Sequence, residues 1–407
     1  MNATRLFIAS CLALIVTAMS FAIRGELLDP LGLQFGLNPE QMGWVAGTAF
    51  WGFTLAMIVG GPLCDVLGMG RLLVIAFVGH LAGVAMTIFA TGFWTLFIST
   101  LLVGLANGFV EAACNPLIAT MYPDRKTEKL NAFHVWFPGG IVIGGLVAYF
   151  FGRFELSWQW KMATLVLPTL IYGAMFLGQK FPKTERVESG VSTNQMFAAC
   201  LRPLFIVLVL CMFLTAATEL GTNQWLSSLL GKTAAVSGIL VLVWINGIMA
   251  VGRQFAGPVV HRLSPTGILV MSAVLSAAGL IGFSYAHDRF TAFAAATIFA
   301  LGICYFWPTM LGVTSERVPR SGALGLAIMG GAGMLSVSLI LPFIGYVRSH
   351  NSDAAAFRYV AILPAILTVV FGILYARDKA KGGYRAERLD VDSTDRGFEP
   401  VNVHKSV

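Results

Sequence analysis

Long apolar stretches recur along almost the whole chain, and they constrain its fold more than any other feature. The chain has 407 residues, of which 57% are hydrophobic and 12% are charged. A soluble domain carries about 25% charged residues, so this chain lacks the ionic side chains that a water-facing surface needs. A helix needs about 20 mostly apolar residues to cross the roughly 30 Å hydrocarbon core of a bilayer. The sequence therefore predicts an all-α polytopic membrane protein and excludes an ordinary soluble enzyme.

Apolar windows of membrane-spanning length fall into two groups of six, separated by one polar stretch. The predicted spans are 5–24, 42–64, 72–91, 94–121, 130–152, 158–178, 203–222, 235–258, 265–286, 290–313, 322–346 and 357–376. This pattern predicts an N-terminal half over 1–178, a linker over 179–202, a C-terminal half over 203–376 and a polar tail over 377–407.

Short motifs recur between the two halves at an offset of about 190 to 196 residues. The matching pairs are Gly61-Pro62 with Gly257-Pro258, Asn115-Pro116 with Trp307-Pro308, and Glu26-Leu27 with Glu219-Leu220. Three matches at nearly one offset indicate a duplicated six-helix unit. In such a unit a central site opens alternately to each side of the membrane.

The basic residues are unevenly distributed between the two sides of the predicted bundle. Twenty of the 27 Lys and Arg residues fall in segments on the same side as the N-terminus. Positive charge is retained on the cytoplasmic side during membrane insertion, so both termini are predicted to be cytoplasmic. The net charge of +7 thus reports topology, and we expect no nucleic-acid partner. The six cysteines are scattered, which supports neither a disulfide framework nor a metal site.

The loop between the second and third spans carries the most specific motif, Gly61-Pro-Leu-Cys-Asp65-Val-Leu-Gly68-Met-Gly-Arg71. It resembles the signature loop of the major facilitator superfamily. The glycines permit tight helix ends, and Asp65 is able to meet a helix N-terminus or a cation of the facing half. We interpret Gly61, Asp65, Gly68 and Arg71 as a gating contact that does not touch solute.

Within that superfamily the chain resembles the branch of the fucose permease and the sodium–glucose transporter-like proteins. The segments that carry this resemblance are Glu111-Ala-Ala-Cys-Asn115-Pro116, Leu130-Asn131-Ala-Phe-His134, Glu219 with Trp225, Trp244 with Gly252-Arg253, Phe306-Trp-Pro308-Thr309, and Ile328 to Gly345. The resemblance implies twelve helices in two pseudo-symmetric halves and transport of a monosaccharide with protons or sodium.

One segment departs from the fucose permease pattern, which places an Asp in the first span as partner of the carboxylate in the fourth. This chain has Arg24-Gly25-Glu26 in that region. Glu26 is the candidate for the missing role in proton coupling. Arg24 is the alternative: it would form an ion pair with a carboxylate and keep that carboxylate permanently charged.

Two carboxylates lie deep inside predicted spans, Glu111 and Glu219, whereas the other eighteen fall in loops, tails or helix ends. A charge at the bilayer centre costs about 2.5–3.5 kcal/mol on insertion scales, so such groups persist where they face a cavity, pair or take a proton. Asn107, Glu111 and Asn115 follow one another at four-residue spacing and share one helix stripe. We predict that Glu111 exchanges a proton and that the amides bind solute hydroxyls.

A second polar stripe in the seventh span contains Glu219 and Asn223, with Gln224 and Trp225 beside it. Amides offer donors and acceptors to a neutral polyol. We predict that this stripe contacts solute. The remaining candidates for solute contact are His134, Trp244 and Trp307.

Together these features predict a secondary transporter that imports a monosaccharide with a proton; sodium is the alternative coupling ion. The rival functions are an exporter of organic cations or drugs and a membrane sensor that does not transport. We expect no cofactor, no metal and no enzymatic activity. We also expect a monomer in the plasma membrane or bacterial inner membrane.

Overall fold

The computed structural model describes residues 2–37, 39–223, 226 and 238–389. Within these residues all regular structure is helical. The helices of the N-terminal half are α1 (Ala3–Phe35), α2 (Pro39–Leu67), α3 (Met69–Ile88), α4 (Phe93–Met121), α5 (Lys126–His134), α6 (Trp136–Arg153), α7 (Trp158–Ala163) and α8 (Val166–Phe176). The linker contains α9 (Glu185–Glu188) and α10 (Thr193–Cys200).

The helices of the C-terminal half are α11 (Pro203–Ala216), which continues as a π-helical turn (Ala217–Gly221), then α12 (Gly238–Gln254), α13 (Ala256–Ser284), α14 (Arg289–Ile303), α15 (Phe306–Arg317), α16 (Gly322–His350) and α17 (Asp353–Ala380). Ser264 has a φ of 61° and divides α13 into a short segment and the ninth span.

Ten of the helical segments in the described residues are long and apolar enough to cross a membrane. The other two predicted spans are shorter: the eighth contains the apolar helix Leu240–Gln254, and the sixth consists of α7 and α8. The all-α membrane fold is therefore confirmed. The first helix extends to Phe35, and its 33 residues at 1.5 Å each exceed the roughly 30 Å bilayer core, so its end projects beyond the apolar layer.

Glycines bring helices of the N-terminal half into close contact. A Cβ atom added at Gly108 of α4 would lie 2.5 Å from the carbonyl oxygen of Phe53 in α2. Small residues of this kind let membrane helices approach closely, which maximises van der Waals contact where no hydrophobic effect acts between helices. The two halves meet where α2 packs on α16, α6 on α12 and α5 on α15.

The predicted gating loop lies at one end of the bundle, which we call the linker end because α9 and α10 cover it. Asp65 accepts hydrogen bonds from Arg186 Nε at 2.8 Å and from Thr184 Oγ1 at 2.6 Å. A Cβ atom added at Gly61 would overlap Ala327 of α16. The cation that meets Asp65 therefore belongs to the linker. Gly68 precedes α3 as its N-cap residue, with a φ of 84°, and Arg71 is exposed.

Polar contacts across the linker end hold the halves together. Thr127 of α5 donates through its backbone N–H and hydroxyl to Glu316 of α15, at 3.1 and 2.7 Å. Lys126 pairs with Glu185 of the linker at 2.6 Å. Part of the tail also contacts this surface, since Tyr384 donates to Glu316 at 2.7 Å. The described residues thus form a closed linker end.

Gly108→Ala is predicted to destabilise the protein, because the new methyl group overlaps the backbone of α2 and overpacking costs about 1–3 kcal/mol. Gly145→Ala is the matched control, since a Cβ atom at Gly145 meets nothing within 4 Å and alanine favours a helix over glycine. Thermal unfolding of each purified variant in detergent, compared with the wild type, measures both effects on stability. An unchanged midpoint in Gly108→Ala would refute the close α2–α4 contact.

Candidate functional site

A central cavity of only about 10 Å³ lies between the two halves. Residues of both halves form its walls: Glu111, His134, Phe137, Glu219, Leu220, Arg253, Trp307 and Met334. Typical small-molecule sites occupy about 300–1,000 Å³. The side chains are thus closed around this space, and a solute would need the halves to move before it enters.

Glu111 lies on α4, and its side-chain hydrogen-bond partner is an uncharged amide. Asn115, one turn later, donates from Nδ2 to Glu111 Oε2 at 3.2 Å. The Oδ1 atom of the same amide lies 3.0 Å from His134 Nε2, so this orientation of the amide makes His134 the donor. Ion pairs among the described residues do not include Glu111. Its carboxylate is buried beside hydrogen-bonding groups that carry no formal charge when the imidazole is neutral.

Glu219 has a different environment. It lies in the π-helical turn that interrupts the seventh span, a kind of distortion that is frequent at functional sites. Its Oε1 atom accepts from Arg253 Nη2 at 3.3 Å, and both side chains are almost fully buried. The structure therefore pairs Glu219 directly with a cation, whereas Glu111 bonds to an amide and interacts with Arg253 only at longer range.

Arg253 reaches both halves from α12. Its Nη1 atom donates to the carbonyl oxygen of His134 at 2.9 Å, and its Nε atom donates to the carbonyl oxygen of Cys304 at 2.6 Å. Two separate hydrogen-bonded groups therefore meet at His134. Its imidazole bonds to Asn115, which bonds to Glu111. Its backbone carbonyl bonds to Arg253, which bonds to Glu219.

Two buried polar atoms of the cavity walls have no hydrogen-bond partner in the described part of the chain. They are Glu219 Oε2 and Trp307 Nε1. An unsatisfied buried polar atom costs about 1–3 kcal/mol. The Trp307 side chain also interacts with the Glu111 carboxyl group, so the Glu219 oxygen is the atom that remains fully available to a water molecule or to a ligand that carries hydroxyl groups. Asn223 Oδ1 is likewise buried without a partner.

The structure brings together four of the predicted site residues, Glu111, His134, Glu219 and Trp307, around one cavity, and Asn115 connects the first two. Gln224 and Trp225 lie outside the described residues.

Asn107 lies elsewhere, although it shares a helix stripe with Glu111. Its amide bonds to His80 at 2.8 Å and to Ser20 at 3.0 Å, and His80 also bonds to Tyr172 at 2.9 Å. All four residues belong to the N-terminal half. This cluster therefore connects helices of one half and does not contribute to the cavity wall.

Two further candidates lie away from the cavity wall. Trp244 is 47% exposed, and its indole N–H donates to Thr297 at 3.0 Å. Glu26 is 39% exposed and pairs with Lys161 at 2.8 Å. The structure thus gives Glu26 a cationic partner in the same half and does not bring it to Glu111. The Arg24 guanidinium donates to the carbonyl oxygen of Thr100 at 3.4 Å.

Arg253 is a cavity residue that the sequence pattern did not indicate as a site residue. The side chain is 1% exposed and lies at the cavity. Two prolines of the sequence, Pro138 and Pro308, do indicate where a buried hydrogen-bond donor such as Arg253 is needed. Each proline removes the N–H that would bond to the carbonyl four residues earlier, and those carbonyls belong to His134 and Cys304.

Among the described residues no group of His, Cys, Asp and Glu side chains is arranged to hold a metal.

The sequence profile of the Major Facilitator Superfamily matches residues 6–287, which is more than half of the chain. The chain belongs to this superfamily. The superfamily consists of membrane transporters rather than enzymes, so the protein is a multi-pass membrane transporter for a small molecule.

Known proteins that resemble the chain include sugar transporters. A D-xylose transporter of Levilactobacillus brevis is 28% identical over 146 residues, which cover 36% of this chain and 31% of that protein. The structure of the E. coli fucose:proton symporter FucP superposes with a TM-score of 0.74 and 14% identity, over 92% of this chain and 99% of that one. The proton:xylose symporter XylE, bound to 6-bromo-6-deoxy-D-glucose, gives a TM-score of 0.76 and 13% identity, over 91% and 95%. At these identities the two structures establish the fold.

Glu219→Gln is predicted to destabilise the protein by about 3–5 kcal/mol, because it leaves the Arg253 guanidinium buried without an anion. Combining it with Arg253→Met removes both charges, so the double variant is expected to lose less stability than the sum of the two single variants. Thermal or denaturant unfolding in detergent provides the comparison.

Glu26→Gln is the control for this cycle, since it breaks an ion pair whose carboxylate is partly exposed and such pairs contribute about 0–1 kcal/mol. Additive losses for Glu219 and Arg253 would contradict a direct interaction between them.

Proposed function

We propose that this protein is a secondary transporter that moves a monosaccharide or a similar neutral polyol together with a proton by alternating access. The observation that carries the proposal is the central cavity, in which Glu111 has an uncharged hydrogen-bond partner and Glu219 has a cationic one. The names of the similar proteins support it, since they describe a D-xylose transporter, a fucose:proton symporter and a proton:xylose symporter.

The cavity wall has the chemistry that a polyol requires. Glu219 Oε2 is an unoccupied acceptor and Trp307 Nε1 is an unoccupied donor. A sugar hydroxyl both donates and accepts, so one ring with neighbouring hydroxyls satisfies both atoms. The faces of Trp307 and Phe137 offer apolar surface to the C–H groups of the same ring.

Glu111 is the proposed coupling residue because of its surroundings. A buried carboxylate without a cation carries a large desolvation cost when it is charged, and a proton removes that cost. Asn115 bonds to the Glu111 carboxyl group, and His134 bonds to Asn115 in turn. The Asn115 amide has both a donor and an acceptor, so it suits either protonation state of Glu111. Glu219 differs, since Arg253 balances its charge. Loading a proton on Glu111 would thus permit the apolar walls to close over the site.

The orientation follows from the basic residues. The linker end carries the majority of Lys and Arg side chains, which are retained in the cytoplasm. In this assignment the structure is closed toward the cytoplasm, and both termini are cytoplasmic. The proposed location is the plasma membrane or the bacterial inner membrane, and the proposed unit is a monomer.

Glu111→Gln is predicted to abolish uphill uptake driven by an imposed pH gradient while retaining exchange of solute across the membrane, because the amide mimics a permanently protonated carboxyl group. Proteoliposomes loaded in turn with D-xylose, L-fucose and D-glucose measure both activities, and replacing sodium at fixed pH distinguishes the coupling ions. Uphill uptake by Glu111→Gln that equals the wild type would refute the coupling role.

Glu26→Gln is the matched control, because Glu26 pairs with Lys161 and not with the cavity residues. We expect this variant to keep pH-driven uptake. Loss of pH-driven uptake in Glu26→Gln alone would transfer the coupling role from Glu111 to Glu26. If none of the three sugars exchanges in the wild type, the monosaccharide assignment fails.

A further inference from the structure

Two helices that face each other across the cavity are interrupted at equivalent places. The fifth span breaks between α5 and α6, after His134, and the tenth span breaks between α14 and α15, at Cys304. A proline follows each break, Pro138 in the first case and Pro308 in the second. Because proline has no N–H, the carbonyls of His134 and Cys304 lack their ordinary intrahelical donors. The sequence thus creates two buried acceptors at the cavity.

A single side chain satisfies both acceptors. Arg253 donates to the His134 carbonyl from Nη1 and to the Cys304 carbonyl from Nε. The guanidinium group is planar and holds its N–H donors in a fixed fork, so both bonds form only when the two helices keep a defined spacing. Lysine would not reproduce this arrangement, because its ammonium group is a single point of charge.

These contacts divide unequally between the halves. Arg253, Cys304 and Glu219 all belong to the C-terminal half, whereas His134 belongs to the N-terminal half. Relative movement of the halves therefore strains the bond between Arg253 and the His134 carbonyl. The other two bonds can move with the C-terminal half as one unit.

We propose that Arg253 is a positioning residue that holds the two halves in the state closed at the linker end, through the carbonyl that Pro138 leaves free. We call Arg253 with its bond to the His134 carbonyl the clamp. Breaking this bond permits the linker end to open. The inference concerns the transport cycle and does not depend on which solute or coupling ion the protein uses.

The neighbouring carboxylate makes release of the clamp feasible. Glu219 Oε2 is buried without a partner in the described part of the chain, and the same carboxylate already binds Arg253 through Oε1. When Nη1 leaves the His134 carbonyl, the guanidinium can form a second bond to this carboxylate and remain satisfied. A bidentate pair between an arginine and a carboxylate is a favourable geometry. The clamp thus has two alternative bonding arrangements.

Hydrogen exchange measured by mass spectrometry tests the clamp on the full-length protein in detergent or nanodiscs without solute. The readout is exchange in the peptides that cover α5 and α15, which are buried against each other at the linker end. Pro138→Ala supplies an N–H to the His134 carbonyl and relaxes the break, so it competes with Arg253. We expect exchange in these peptides to rise about tenfold, the effect of losing one hydrogen bond to a charged group.

Arg253→Lys is the direct variant, and it is expected to raise the same exchange while Glu219 keeps a cationic neighbour. Pro364→Ala is the matched control, because Pro364 is a buried proline inside α17 and lies outside the cavity wall. Size-exclusion chromatography verifies that each variant is folded. Unchanged exchange in folded Pro138→Ala and Arg253→Lys would overturn the proposal, as would an equal rise in Pro364→Ala.

Failure of this proposal is separable from failure of the proposed function. Exchange is measured without solute, so a wrong solute assignment leaves the expected result intact. Conversely, unchanged exchange refutes the clamp even if proteoliposomes accumulate a sugar in response to a pH gradient.

Discussion

The arrangement of the site depends on one buried cation. Arg253 lies inside a membrane protein with three hydrogen bonds, two to carbonyls and one to Glu219. A buried guanidinium is tolerated only when its donors are satisfied and its charge is balanced. Those requirements bring three helices to the same point, two of them with proline-induced breaks. They also place a carboxylate from the π-helical turn beside the cavity.

Arg253 balances the charge of Glu219 directly, which leaves Glu111 as the carboxylate that can gain and lose a proton. Glu219 is neutralised by Arg253, whereas Glu111 interacts with the amide of Asn115, so the two acids differ in charge balance although both are deeply buried. This asymmetry is the physical basis for assigning proton exchange to Glu111. Glu219 is then available to contact solute and to hold Arg253.

The sequence predicted the membrane fold and the two deep carboxylates, because charge is scarce in this chain and any carboxylate far from a helix end is conspicuous. It did not place Asn107 correctly relative to the cavity. Four-residue spacing identifies a shared stripe with Glu111, but it does not show which neighbouring helix each position meets. Trp244 presents the same problem, since spacing alone does not separate a lipid-facing side from a cavity-facing one. The sequence pattern did not indicate Arg253 as a cavity residue, because spacing alone does not show that a basic side chain near a helix end reaches the cavity.

The central claim is that solute binding and protonation of Glu111 are coupled in one cavity. Proton uptake during solute binding tests it most directly, measured with a pH indicator in weakly buffered solution of the purified protein. The account predicts that a bound monosaccharide draws a proton from solution onto the wild-type protein and that Glu111→Gln binds the same sugar without proton uptake. Binding to the wild type without any change in proton concentration across the pH range, or equal uptake by Glu111→Gln, would contradict it.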